Sequence, residues 1–365
     1  MEVAVLYHDD FKKHSPYPYD HPENPARLDM ALESLNASRL INSGNIALEE
    51  PPKGDLSIYT KVHSPSYLRY VLRTAESGLE WLDGDTYVSI GTVSALERLA
   101  GASIAAVKMV GRGIAPFILG RPPGHHAGIK GRALGAPTGG FCIVNTAALV
   151  ARDLSRLGRV VVLDFDVHHG NGTQEIFYDD PSVFHVDLHQ DPTTIYPGTG
   201  FPEDTGRGRA DGTKINIIVP PHSGSDIYMH AANLMRSIID VVRPDYIVVS
   251  AGFDAYTHDN HFSSINATSH FYHEVGRIVR EASISGVAAV LEGGYGVGLE
   301  KGLPAFVAGL AGLDNPIQDK FLESGITQWE KYLSGLKRLA RALKESRTSI
   351  SDVVLMAIED KSLLA

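Results

Sequence analysis

Short runs of apolar and β-branched residues constrain the fold of this chain more than any other feature. They cover residues 3–7, 116–119, 160–166, 183–188, 215–219, 246–251 and 287–291. Several are apolar throughout rather than alternating, as expected for strands buried on both faces of a parallel sheet. Between them lie stretches with helical spacing, at 94–110, 145–157, 228–242 and 270–283. Strand alternating with helix predicts an α/β domain with a central, mainly parallel sheet flanked by helices on both faces. Toward the end, Trp329, Tyr332, Leu333, Leu336, Leu339, Ala340 and Leu343 keep helical spacing. They predict an amphipathic helix that either packs back on the domain or serves a homo-oligomer.

Composition removes whole classes of function. The chain has 365 residues, 43% hydrophobic and 21% charged, so it can bury a large core and is neither disordered nor a coiled coil. Its net charge of −10 argues against direct nucleic-acid binding and suits a cationic amine substrate. A single cysteine, Cys142, excludes an intramolecular disulfide and is expected to be buried packing. No apolar run reaches transmembrane length and the opening residues do not resemble a secretory signal, so the expected location is cytoplasmic. Sixteen histidines against one cysteine mean that any bound metal takes His, Asp or Glu ligands.

The polar residues cluster just after the apolar runs, where open α/β sheets build their sites. The run at 160–172 reads VVVLDFDVHHGNG. On a strand, positions two apart share a side, so Asp166 and His168 can grip one ion, with Asp164 a step behind. Asp254, at the end of a neighbouring run, can supply a third ligand. Two carboxylates and one imidazole suit Zn²⁺ with an open position; the oxygen-rich set also admits Fe²⁺, Mn²⁺ or Co²⁺. Acids this close to a buried strand are expensive without a cation. His125 and His126, in a Gly- and Pro-rich loop, can act as general base and acid, with Asp164 and Asn171 orienting their rings. Tyr295, set among glycines after the last apolar run, can donate to a developing oxyanion.

Together these segments resemble the histone deacetylase superfamily, which includes acetylpolyamine amidohydrolases. The matching pieces are HPENPARL (21–28), DTYVSIGT (85–92), RPPGHHA (121–127), GGFCIVN (139–145), VVVLDFDVHHGNGT (160–173), YPGTG (196–200), SAGFDA (250–255) and LEGGY (291–295). They occur in the family's order, and the spellings are closest to its class II branch. The resemblance implies the arginase–deacetylase fold over residues 1–315, with 316–365 a C-terminal helical extension. It implies a zinc-dependent deacetylase, a hydrolase of acetyl-lysine or acetylpolyamine amides. In that reading Zn²⁺ is bound by Asp166, His168 and Asp254. His125 pairs with Asp164, and His126 pairs with Asn171. The neutral Asn171 lets His126 titrate lower than an aspartate would.

The resemblance further makes Tyr295 the catalytic tyrosine, where a poorly active branch has His. Gly140, Phe141 and Tyr196 wall an apolar channel, with Asp85 and His261 at its rim. A structural K⁺ would sit on the backbone carbonyls of Asp164, Asp166 and His168, with Asp187 and Leu188; Asp187 stands where serine is common. The binuclear manganese enzymes of the same fold need carboxylates where this chain has Gly170 and Tyr256. A non-catalytic acyl-lysine binding module would show gaps in the catalytic set, and there are none.

Overall fold

The structure, a computed structural model, describes residues 2–41, 44, 46–259 and 262–359. Eight strands form one sheet: β1 Glu2–Leu6, β2 Ile46–Glu49, β3 Ile114–Ile118, β4 Val160–Asp164, β5 Val183–Gln190, β6 Lys214–Val219, β7 Tyr246–Ala251 and β8 Gly286–Leu291. Every pairing is parallel, in the order β6-β5-β4-β7-β8-β3-β1-β2. The all-apolar runs are the central strands; β4 is buried at every position. The strand the apolar runs did not reveal is β2, whose IALE stretch lies at the sheet edge with one buried residue. A half-exposed edge strand needs no continuous apolar run, which is why periodicity passes over it.

Among the described residues ten α-helices accompany the sheet: α1 Ala26–Ala37, α2 Pro65–Glu76, α3 Ile90–Val110, α4 Thr146–Leu154, α5 Asn171–Phe177, α6 Ser225–Val242, α7 Ser269–Ala282, α8 Leu303–Ala311, α9 Ile326–Glu345 and α10 Ile350–Glu359. α3 and α4 pack on β3, β7 and β8, while α7 and α8 pack on one another and reach β8 and β1. α3 is long and apolar enough to cross a bilayer by length and composition, but half of it is buried in the protein. It serves as a core helix here, lying along β3.

The amphipathic face of α9 turns inward. Tyr332, Leu336, Leu339 and Leu343 are buried, and Gly335 lets the helix approach Ile218 on β6. Polar contacts tie the segment to α6: Trp329 Nε1 donates to Asp226 (2.9 Å), and His230 Nδ1 meets the Tyr332 hydroxyl (2.9 Å). Truncating the fully buried Leu339 to Ala is expected to cost about 2–5 kcal/mol in chemical denaturation. A loss below about 1 kcal/mol would show that α9 is not part of the folded core.

Candidate active site

The metal-candidate residues lie beyond the strands, not on them. β4 ends at Asp164 and β7 at Ala251, so Asp166, His168 and Asp254 occupy the turns that follow. The expected pairing of Asp166 with His168 holds for a different reason than strand alternation. Asp164 Oδ1 accepts the Asp166 N–H (3.1 Å), and Asp166 Oδ1 accepts the His168 N–H (3.0 Å). These successive side-chain turns carry the loop forward two residues at a time. Asp254 Oδ1 accepts the Val167 N–H (3.0 Å), which locks the two turns together.

His168 Nδ1 lies 3.1 Å from Asp166 Oδ1 and 3.1 Å from Asp254 Oδ2. The three ligand atoms lie within 4.8 Å of one another. Asp254 Oδ2 is buried with no hydrogen-bond donor. A buried carboxylate oxygen without a donor, facing a second carboxylate and an imidazole, fits a divalent cation. Burial lowers the His168 pKa, but the facing carboxylates of Asp166 and Asp254 outweigh it and hold it at about 9.

Gly293 makes this convergence sterically feasible. Its N–H donates to Asp166 Oδ2 (2.8 Å), and a Cβ there would run into the carboxylates of both Asp254 and Asp166.

Both tandem histidines are buried, contrary to an ordinary loop pair. Their ring centroids lie 3.9 Å apart, with the planes tilted by 41°. His125 Nδ1 faces Asp164 Oδ2 (3.1 Å), and His126 Nδ1 faces Asn171 Oδ1 (2.8 Å). Asn171 Nδ2 donates to Ala133 O (2.9 Å), which turns Oδ1 toward His126. Nδ1 of His126 therefore carries the hydrogen, leaving a lone pair on Nε2. The two pKa values are driven apart. Burial opposes the charge on His125, but Asp166 and Asp164 overcome it and lift that pKa well above the ordinary range. Burial, reinforced by the charges of His125 and His168, pushes His126 well below it. Titratable neighbours split in this way mark acid–base sites.

A cavity of about 370 Å³ leads to these groups, lined by Pro22, Asp85, His126, Gly140, Phe141, His168, Tyr196, Phe262 and Tyr295. Gly140 has a positive φ of 56°, and a Cβ on it would strike His126 and Tyr196. Phe141 follows at φ 68°, an uncommon conformation that turns its ring toward Tyr295 (5.9 Å). The Tyr196 hydroxyl donates to Thr138 O (2.9 Å), so that wall is satisfied internally. Asp85 sits at the cavity with its carboxylate held by Thr86 (2.7 Å) and Thr138 (2.6 Å). His261 lies outside the described residues, and its neighbour Phe262 contributes the rim contact, 5.6 Å from the Tyr295 ring.

Several contributors carried no clear signal in the sequence. Arg27 stacks over the Tyr295 ring (4.6 Å) and donates to Gly294 O (2.7 Å). Asp259 accepts the N–H groups of Tyr295 (2.9 Å), Gly296 (2.9 Å) and Gly298 (2.7 Å). Glu292 Oε2 accepts from Gly124 (2.7 Å) and His125 (3.1 Å), joining the tyrosine loop to the histidine loop. Arg27 and Glu292 belong to motifs already quoted, HPENPARL and LEGGY, but single-residue chemistry gives them no role. The Asp187 side chain accepts the Gly170 N–H (2.8 Å) and meets His189 (2.6 Å).

Replacing Gly293 by Ala is expected to weaken divalent-metal affinity by about 10–100-fold in a chelator competition, with the fold retained. Unchanged affinity would show that the carboxylates do not need this close backbone approach.

Comparison with known proteins identifies the family and the fold. The histone deacetylase domain model matches residues 21–310. A probable deacetylase of Archaeoglobus fulgidus is 34% identical, over 97% of each chain. An uncharacterised protein of Methanocaldococcus jannaschii is 42% identical over 84% of this chain and 86% of its own length. Among solved structures, the HD domain of HDA15 superposes with TM-score 0.82 at 26% identity, covering 98% of each chain. An acetylpolyamine aminohydrolase from Burkholderia pseudomallei gives 0.74 at 28% identity, covering 86% of this chain and 99% of that one. The eight-stranded parallel sheet is that of the arginase–deacetylase fold, and the chain is an enzyme of the histone deacetylase superfamily.

Proposed function

We propose that this chain removes the acetyl group from a primary amine carried at the end of an extended alkyl stem, as in acetyl-lysine or an acetylpolyamine. The observation that carries the reading is convergence. His126, His168 and Tyr295 all face one narrow cavity whose walls are Phe141, Tyr196 and Phe262 and whose rim holds Asp85. An apolar passage takes the methylene stem, and the acid at the rim accepts hydrogen bonds from the substrate beyond it.

A divalent metal, Zn²⁺ by ligand set, would be held by Asp166, His168 and Asp254 and would supply Lewis-acid polarisation of the amide carbonyl and of water. The remaining chemistry belongs to the chain. Neutral His126 accepts the proton of the attacking water on Nε2, the nitrogen its bond to Asn171 leaves free. His125, held protonated against Asp164, keeps positive charge beside the reacting centre. The proton is then passed to the leaving amine, giving acetate and free amine. Tyr295 donates its phenolic hydrogen to the developing oxyanion. Burial raises that phenol's pKa well above the ordinary value, so it stays a donor across the working range.

A Tyr295→Phe variant is expected to lose about 10²–10³-fold in kcat while keeping its metal. An assay of acetyl-lysine peptide, acetylputrescine and acetylspermidine measures the loss and identifies the preferred amine. Undiminished turnover on all three would reject the role of Tyr295.

The pH profile is a second check. The active base is the unprotonated His126, whose pKa is depressed, so kcat/KM should hold through neutral pH and fall only in acid. Asn171→Asp places a carboxylate against Nδ1, raising that pKa and moving the acid limb up by about one to two pH units. An acid limb that stays in place, or moves down, contradicts the assignment of His126 as base.

A further inference from the structure

We propose that His169, His185 and Asp187 form a second, fully enclosed site for a divalent transition-metal ion of the zinc class, separate from the Asp166–His168–Asp254 set. The ligand atoms of the three side chains lie within 4.8 Å of one another. His185 Nε2 is 3.5 Å from Asp187 Oδ2.

The second observation is a knot of unmet polar groups at the same place. His185 is completely buried, yet neither ring nitrogen has a hydrogen-bond partner. Gln174 Nε2 and Asn216 Oδ1, both buried, also lack one. These residues are contiguous: Gln174 Oε1 receives Asn216 Nδ2 (3.0 Å) and faces His169 Nε2 (3.1 Å). Buried polar groups are nearly always paired, so four unpaired atoms in one cluster point to a bound ligand.

The surroundings orient the ligands as metal sites do. Asp187 Oδ1 meets His189 Nδ1 (2.6 Å), and His189 Nε2 meets Gly200 O (2.9 Å). His169 Nδ1 meets Thr199 Oγ1 (2.8 Å), leaving Nε2 as its ligand atom once the Gln174 contact is exchanged. The neighbouring Lys214 is turned onto Val183 O (2.8 Å) and Thr213 Oγ1 (2.7 Å). Two imidazoles and one carboxylate select the zinc class over K⁺, which takes oxygen ligands throughout.

Such an ion would staple β5 to the loop after β4, the loop that carries Asp166 and His168. The test is metal counting by mass spectrometry on the full chain loaded with Zn²⁺ and freed of loose metal. Wild type should hold two zinc ions, and Asp254→Ala and His185→Ala one each. His185→Gln serves if the alanine variant does not fold. One zinc in wild type and none in Asp254→Ala overturns the proposal, the unmet groups then binding water alone. The outcome does not depend on the catalytic reading. If Asp254→Ala leaves the count unchanged while His185→Ala lowers it by one, the catalytic set fails and the second site stands.

Discussion

Everything in this structure turns on burying carboxylates at the carboxyl ends of parallel strands. Asp164, Asp166, Asp187, Asp254 and Glu292 are all removed from water within one small volume. Left unneutralised, such a group would be costly enough to unfold a domain of ordinary stability. The surrounding chain answers with backbone N–H donors, imidazoles and a place for metal. The same arrangement that solves a stability problem creates the reactive centre: an electric field strong enough to hold His125 charged and, beside it, His126 neutral.

The sheet makes this possible through register. Asp164 stands opposite Asp187 on one side and Ser250 on the other, and Ala251 stands opposite Leu291. Ile118, at the end of β3, stands opposite Val290 on β8, so the neighbouring strands β4, β7, β8 and β3 release their chains at one level, and the loops that follow carry the candidate metal set, the paired histidines and the tyrosine. Glu292 ties the tyrosine loop to the histidine loop, and Asp259 and Arg27 hold the tyrosine loop itself. The candidate catalytic side chains are thus positioned by residues that do not line the cavity.

Much of this was legible in the sequence because the relevant signals are local. Continuous apolar runs mark strands buried on both faces, and the VVVLDFDVHH stretch displays strand and ligands in one line. What stayed hidden depends on contacts between distant segments. Arg27 and Gly294 are 267 positions apart, and His125 and Glu292 are 167 apart. The strand argument for Asp166 and His168 reached the right pair through the wrong geometry, since both lie in turns beyond β4. The edge strand β2 and the short helix α5 are too brief and too mixed in polarity to announce themselves. Asp187 is the most instructive case: from the sequence it is a K⁺ ligand by resemblance, and the fold sets its side chain among His169, His185 and His189.

The central claim is that the buried carboxylate–imidazole centre hydrolyses an acetylated amine with the help of a divalent metal. Quantifying acetate and free amine released by the full chain, before and after removal of metal by a chelator and after zinc is restored, tests it most directly. The account predicts acetate and amine in equal amounts, loss of both on stripping, and recovery with zinc. Release that continues undiminished in the stripped protein, or a replete protein that liberates no acetate from any acetylated amine, would contradict it.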